Sequence, residues 1–199
     1  MASTTPTPMR TKEAVKVDLW KQALATLNAE DQKQYEDCSS SMLDVLKQVQ
    51  ETTESKKQDC VSKGWEVYRN KQGEEVKLRH VLEKVSVWVK GIINIVDVGV
   101  FFDQSGHAAL PWGIVKYLTT IGISDIDVFS SLVEGIESSA SLVARYVIVE
   151  KLYLHYECEA APGLQEAIGN LYANILTYLA RVKAYFTGST WSKCSTAFN

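Results

Sequence analysis

Residues 85–102, VSVWVKGIINIVDVGVFF, are the strongest hydrophobic run in the chain and decide the fold. The run approaches the length of a membrane span, but Lys90, Asn94 and Asp97 lie near its middle. Each central charge costs about 2.5–3.5 kcal/mol on insertion, so we expect a buried helix rather than a constitutive span. Lys90 and Asp97 lie on nearly one helical face, and we predict that both are buried polar residues paired with opposite charges on neighbouring helices. A helix that leaves the bundle to enter a membrane or an oligomer is the alternative.

Helical patterns continue on both sides of this run. Apolar residues recur at three- and four-residue steps, which is typical of amphipathic helices, and strand-like alternation is nowhere sustained. We therefore predict an all-α fold without a β-sheet, a single multi-helix bundle with long antiparallel helices and a central hydrophobic helical hairpin. Ile95 and Ile148 are taken as central core positions. The predicted core comprises residues 85–102, 112–122, 128–154 and 164–186.

Composition sets the expected domain limits. Residues 1–11 are rich in Thr and Pro and bury too little apolar surface to offset their ordering entropy, so we predict a flexible N-terminal tail. Residues 12–187 form the predicted helical domain, and residues 188–199 are predicted to be a loose C-terminal tail or the start of a linker. Asn28 is expected to end the first helix and to cap the second.

Charge and cysteine content exclude several classes of function. The 199 residues carry a net charge of −3, which offers no electrostatic footprint for nucleic acid. Cys38, Cys60, Cys158 and Cys194 lack the paired spacing of a zinc site, so we predict reduced thiols and no bound metal. The polar N-terminus has no apolar segment typical of a signal peptide, and we expect a cytoplasmic location.

The sequence contains no recognisable catalytic signature. It lacks a phosphate-binding loop, a dinucleotide fingerprint, a nucleophile elbow and a zinc-binding helix, so we predict no catalytic residues and no cofactor. Glu134, Glu137 and Glu150 share one predicted helix, and paired carboxylates can do acid–base work. The simpler interpretation is that Arg145 and Glu150 are buried polar residues with partners on adjacent helices. Six tyrosines are interpreted as packing at the core edge: Tyr146, Tyr153, Tyr156, Tyr172, Tyr178 and Tyr185.

A corner with the sequence GHAALPWG follows the apolar run. Gly106 permits a turn, and Pro111 suits the first turn of a helix because its missing N–H is not needed there. Ala108 and Ala109 allow another helix to approach closely, while Trp112 can fill the space above them. We interpret the corner as an interhelical packing device, with partner docking as the alternative. Its residues are Gly106, His107, Ala108, Ala109, Leu110, Pro111, Trp112 and Gly113.

Four segments of the chain together resemble a known family of domains. They are DLWKQAL…L at 18–27, VDVGVFFDQSGHAALPWGIVKYL at 96–118, LVEGIESSASLVARYVIVEKLYL at 132–154 and LYANILTYLARVKAYF at 171–186. These segments are similar to the N-terminal helical domains that precede NACHT modules in fungal STAND proteins, which are NLR-like receptors, and to the related Goodbye domains. The similarity covers about residues 15–187, and the HAALPWG corner is its most specific part.

The resemblance implies a function but no catalytic residues. It implies a non-enzymatic signalling or effector domain of a fungal NLR-like receptor, acting in non-self recognition and regulated cell death through homotypic assembly or partner docking. A membrane-active cell-death executor, whose apolar helices perturb bilayers after activation, is the alternative. The expected partners are proteins or further copies of the chain, not nucleic acid. Recruitment to a membrane on activation and a downstream NACHT module in the full-length protein are left open.

Overall fold

The computed structural model describes residues 17–37, 41–62, 64, 67–69, 73–97, 107–121, 126–154 and 160–196. Within these ranges the chain forms seven α-helices, one 3₁₀ turn and one two-stranded ribbon. In chain order they are α1 (Leu19–Thr26), α2 (Ala29–Lys33), α3 (Met42–Ser62), β1 (Val67–Arg69), β2 (Glu75–Lys77), α4 (Leu78–Asp97), the 3₁₀ turn (His107–Ala109), α5 (Leu110–Thr120), α6 (Ile126–Tyr153) and α7 (Ala161–Thr196). The tail predicted at residues 1–11 lies outside the described residues, and so does Gly106.

Side-chain caps set the starts of the two short N-terminal helices. The Asp18 carboxylate accepts a hydrogen bond from the Lys21 backbone N–H at 2.8 Å and caps α1. Asn28 Oδ1 accepts a hydrogen bond from the Asp31 N–H, also at 2.8 Å, and caps α2. Both caps satisfy donors that a first helical turn leaves without an intrahelical partner. The prediction that Asn28 caps the second helix is confirmed.

An antiparallel ribbon of two three-residue strands lies between α3 and α4. Val67 pairs with Lys77, and Arg69 pairs with Glu75. Gly73, shortly before β2, has a φ of 81°, a left-handed conformation that glycine adopts without steric cost. The ribbon is the only strand pairing in the described ranges, and the sequence analysis did not predict it. Strands of three residues are too short to show a clear alternation of apolar and polar side chains.

The helix built on the strongest hydrophobic run is amphipathic rather than apolar all round. Val89 and Ile92 on α4 are buried in the core. Lys90 is exposed, so its prediction as a buried residue is wrong. One residue turns a helix by about 100°, which carries Lys90 away from the face of Val89, and Val87 is exposed as well. One side of this helix therefore faces solvent although most residues of the run are apolar. The side chain of Asp97 lies outside what the structure describes.

The helices pack around a shared apolar core. α3 packs on α4 and α5, α4 packs on α6, and α7 packs on α1, α2 and α5. Five helices each place a nearly inaccessible side chain in this core: Leu46, Ile92, Trp112, Ile136 and Leu176. The predicted all-α bundle is confirmed. α4 and α5, the helices on either side of the corner, pack mainly against other helices rather than against each other.

The last turns of α6 leave one side exposed to solvent. Ile148 is exposed, so its assignment as a central core position is wrong. Leu152 and Tyr153 are exposed as well, whereas Val149 and Leu154 pack partly buried against the core. The side chain of Ile95, the other predicted core position, lies outside the described residues.

α7 is the longest of the described helices, with 36 residues. It continues to Thr196, past residue 187, at which the sequence analysis ends the helical domain. In the part of the chain that the structure describes, no helix combines the length and the apolar character needed to cross a membrane.

Candidate protein-interaction site

The described part of the GHAALPWG corner is a closely packed junction. The 3₁₀ turn His107–Ala109 leads directly into α5, and Pro111 occupies the first turn of that helix, as predicted. His107 and Gly113 are half-buried. The remaining described side chains of the corner are buried: Ala108, Ala109, Leu110, Pro111 and Trp112.

Trp112 is packed as a core residue. It is 1 % exposed, and its indole Nε1 has no hydrogen-bond acceptor among the described residues. Because burial of an unpaired N–H is unfavourable, apolar contact has to hold the ring in place. A docking anchor needs surface that a partner can reach. The burial of Trp112 therefore favours the packing interpretation of the corner.

A single carboxylate ties the corner to the N-terminal helix. His107 Nδ1 lies 2.7 Å from Asp18 Oδ2. The Oδ1 atom of the same Asp18 caps α1 by accepting the Lys21 N–H. Asp18 therefore caps the first turn of α1 and also fixes that turn next to the corner.

An aromatic stack joins α1 to α7, and one of its rings is hydrogen-bonded to a predicted buried polar residue, Glu150. The rings of Trp20 and Tyr172 are parallel within 6°, with centroids 3.7 Å apart. The Tyr172 hydroxyl donates a hydrogen bond to Glu150 Oε2 at 3.0 Å. Glu150 is half-buried and has the partner on an adjacent helix that the sequence analysis expected. Burial raises the pKa of Tyr172 far above its usual range, and the negative charge of Glu150 and this hydrogen bond contribute smaller increases.

The raised pKa of Tyr172 predicts a loss of stability at alkaline pH. In the unfolded chain the phenol ionises near pH 10, whereas in the folded chain it stays neutral. The stabilisation is therefore complete below pH 10 and declines as the pH rises further. Tyr172→Phe is expected to make the free energy of unfolding fall less steeply above pH 10, measured by urea unfolding at pH 8 to 11. Tyr153→Phe, at an exposed position, serves as the control, and equal slopes for both variants would contradict the assignment.

Arg145, the fourth predicted buried polar residue, is exposed, and that prediction is wrong. Its guanidinium carbon lies 5.5 Å from the centroid of the Trp88 ring, a cation–π contact at the surface. The long aliphatic stem of an arginine can cover apolar surface while the charged head stays in water. Trp88 Nε1 donates a hydrogen bond to Glu137 Oε1 at 3.0 Å. Glu137 and Glu150 thus bind different partners and do not form an acid–base pair.

An open apolar groove lies between the first half of α6 and the middle of α7, with a volume of about 800 Å³. Tyr185 is 66 % exposed, and Tyr178 is 41 % exposed. The groove is lined by Val128, Ser131, Leu132, Asn174, Thr177, Tyr178, Arg181, Val182, Tyr185 and Phe186. Contiguous apolar surface with exposed aromatic side chains is typical of a binding site for another molecule. We refer to it as the α6–α7 groove.

Both groove tyrosines contact neighbouring residues of the bundle. The hydroxyl end of Tyr178 lies against Gly135 of α6, where a Cβ atom would collide with it. Burial raises the pKa of Tyr178. The ring of Tyr185 stands edge-on to that of Phe186, with centroids 5.2 Å apart and planes at 86°. The groove therefore presents two aromatic rings that pack on residues of α6 and α7.

The groove is not apparent from the sequence, in which the tyrosines of α7 are interpreted as packing at the core edge. The buried stripe of α7 includes Tyr172 and Leu179. Tyr178, Arg181 and Tyr185 repeat at steps of three and four residues along another face of the same helix. An amphipathic helix usually has one apolar stripe, and a second stripe is a signal that could have indicated a further interaction surface.

Comparison with known proteins assigns this all-α bundle to a family. Residues 80–199 match the profile of a family described as a domain of unknown function, DUF7708. The match covers more than half of the chain, and the chain belongs to this family. The family is found in fungal NACHT-type proteins. No curated protein and no solved structure gave a match. In the described ranges, no three His, Cys, Asp or Glu side chains are placed to hold a metal ion.

Proposed function

We propose that the chain is a non-enzymatic protein-interaction domain that serves as the signalling or effector part of a fungal NLR-like receptor. The observation that carries the proposal is the α6–α7 groove, whose apolar walls hold two exposed tyrosines and one guanidinium. Membership of a family found in fungal NACHT-type proteins supports the cellular setting. In this proposal the domain acts in non-self recognition and regulated cell death, through homotypic assembly or docking of a protein partner.

The chemistry of the groove is that of a binding surface. Its described lining side chains include no His, Cys, Asp or Glu. A hydroxyl nucleophile such as that of Ser131 or Thr177 needs an adjacent general base to react, and the lining supplies none. The relationship to STAND proteins and Goodbye domains, the cytoplasmic location and a downstream NACHT module are parts of the same proposal, supported by the sequence segments that resemble those domains.

A second candidate function is perturbation of membranes after activation. The exposed apolar side chains Ile148, Leu152 and Tyr153 at the end of α6 favour it, because they form a patch separate from the groove. Such a patch can insert into the interfacial region of a bilayer without spanning it. The two candidates therefore assign activity to different surfaces.

Forced clustering in living cells tests the main proposal. The chain is fused to a domain that dimerises on addition of a small molecule and is expressed in a filamentous fungus. We expect loss of viability after the dimeriser is added, and a much weaker response from the double variant Tyr178→Ser/Tyr185→Ser, because central aromatic anchors dominate binding energy. The matched control is Tyr153→Ser, since Tyr153 is 58 % exposed but lies outside the groove.

A vesicle assay distinguishes the second candidate. Purified chain is added at several concentrations to dye-loaded vesicles of zwitterionic or anionic lipid, and its size is followed by mass photometry. Dye release that is lost in Tyr153→Ser and retained in the groove variant would support membrane perturbation.

The clustering experiment has its own contradicting outcome. Unchanged viability after clustering, with a folded fusion protein present, would contradict the signalling proposal.

A further inference from the structure

We propose that the α6–α7 groove binds an amphipathic helix that carries a carboxylate among aliphatic side chains, with Arg181 recognising the carboxylate and Tyr178 and Tyr185 contacting the aliphatic face. The inference rests on the proposed function and adds the chemistry of the partner to it.

The shape of the groove fits a helix. Its two walls are themselves helices, and α7 presents Tyr178, Arg181 and Tyr185 at the spacing i, i+3 and i+7. On the opposite wall Val128 and Leu132 are separated by one helical turn. Residues 178 to 185 span about 10 Å at 1.5 Å per residue, which corresponds to two turns of a docked helix. Recognition of an amphipathic helix through anchors at i, i+4 and i+7 is an established binding mode for grooves of this form.

Charge selects the kind of helix. The Arg181 side chain is 70 % exposed, and its Nε lies 3.8 Å from Asp31 Oδ2, a distance at the outer limit of an ion pair. That distance is too long for a hydrogen bond, and Asp31 Oδ2 already accepts one from Asn28 Nδ2 at 2.8 Å, so the guanidinium can turn to a partner at small cost. Asp31 is buried beside the groove, and the described lining of the groove itself contains no acidic side chain. A carboxylate on the incoming helix complements this site, whereas a lysine would be repelled.

The same charge argues against a second copy of the chain as the occupant. Two copies docked groove to groove about a two-fold axis near Arg181 would bring their guanidinium groups together. Like charges placed opposite each other in an interface are unfavourable. A partner with its own acidic, aliphatic helix avoids this repulsion.

The groove residues are of the types that carry binding energy. Tyrosine and arginine are enriched among the residues that dominate interfaces. Tyr178 lies against Gly135, and Tyr185 packs edge-on to Phe186, so each ring has a contact that restricts its rotation before a partner binds. The two rings and the exposed guanidinium together form a small anchor region on the α7 wall of the groove.

The test uses a displayed library of helical peptides selected on the full chain. The peptides have about 15 residues on an alanine-rich scaffold, long enough to form a helix in water, and their variable positions sample Ala, Leu, Glu and Lys. We expect the enriched peptides to carry leucines at i, i+4 and i+7, with Glu rather than Lys beside them. Enrichment of lysine-bearing peptides, or of none that responds to a groove substitution, would overturn the inference.

A charge exchange then tests the role of Arg181. One enriched peptide and its Glu-to-Lys counterpart are labelled and titrated into wild-type and variant chains by fluorescence anisotropy. Arg181→Glu is expected to weaken binding of the acidic peptide by about tenfold or more. It should also reverse the preference, so that the chain binds the lysine-bearing peptide more tightly. Arg181→Gln places no second carboxylate next to Asp31. It is expected to weaken binding of the acidic peptide and to remove the difference in affinity between the two peptides. Equal binding of both peptides by wild type would overturn the carboxylate assignment.

A second set of variants locates the binding surface. Tyr185→Ser is expected to weaken binding of both peptides by about tenfold, while Tyr153→Ser leaves both affinities unchanged. Thermal unfolding of every variant shows that the bundle remains folded. Equal sensitivity to the two substitutions would overturn the groove as the binding site. So would mass photometry showing a dimer that Tyr185→Ser disrupts, because the occupant would then be a second copy.

If peptide binding fails while clustering still kills cells, only this inference is overturned. Peptide binding without a response to clustering overturns the proposed signalling function instead.

Discussion

Replacing Trp112 with alanine is expected to lower the free energy of unfolding by about 3–5 kcal/mol, the range for truncating a buried tryptophan. The ring is 1 % exposed at the start of α5, a helix that packs on α3 and α7. Its removal opens a cavity where these helices meet, and the backbone of a closely packed bundle relaxes only in part to fill it. Urea unfolding followed by far-ultraviolet circular dichroism measures the loss without depending on tryptophan fluorescence.

Trp112→Phe separates ring packing from the indole nitrogen. Because Nε1 has no acceptor among the described residues, the phenylalanine variant loses no hydrogen bond there and removes a buried donor whose desolvation costs about 1–3 kcal/mol. We therefore expect it to be much less destabilised than Trp112→Ala. If Trp112→Ala keeps the wild-type midpoint but no longer self-associates or signals, the packing interpretation is wrong and the corner is a docking surface.

The helical fold and the starts of α2 and α5 could be predicted from local sequence. Asn28 caps α2 and Pro111 occupies the first turn of α5, because capping and the missing proline N–H act within one turn. The contact between Asp18 and His107 could not be predicted in this way. It joins residues far apart in the chain, and periodicity shows where a residue lies on its helix but not which helix it meets.

The same limit explains the errors over burial. Lys90 and Arg145 were placed inside the bundle because apolar neighbours surround them in the sequence, yet both face solvent. Tyr178 and Tyr185 are predicted at the core edge, and the structure shows that α6 and α7 leave a groove beside them. An apolar pattern indicates that a face is suited to burial. Whether another part of the chain covers that face depends on the whole arrangement of helices.

The N-terminal helices show how far the fold depends on such contacts. Residues 17–37 lie outside the region that matches the family profile, yet α1 and α2 both pack on α7. Trp20 stacks on Tyr172, and the Tyr35 hydroxyl donates a hydrogen bond to the Leu176 carbonyl oxygen at 2.7 Å. With eight and five residues, α1 and α2 are too short to be stable helices alone. Their structure therefore depends on α7, and the buried face of α7 depends on them.

Trp20→Ala is accordingly expected to lower the free energy of unfolding by about 3–5 kcal/mol, because it removes a buried aromatic ring and its stacking partner is left facing a cavity. The matched control is Lys21→Ala in the same helix, at an exposed position, which should change stability by no more than about 0.5 kcal/mol. Urea unfolding measures the global effect, and hydrogen exchange of the α7 amides near Tyr172 detects local release of α1. If Trp20→Ala changes neither the unfolding midpoint nor this protection, α1 is a peripheral addition and the family region forms its core without it.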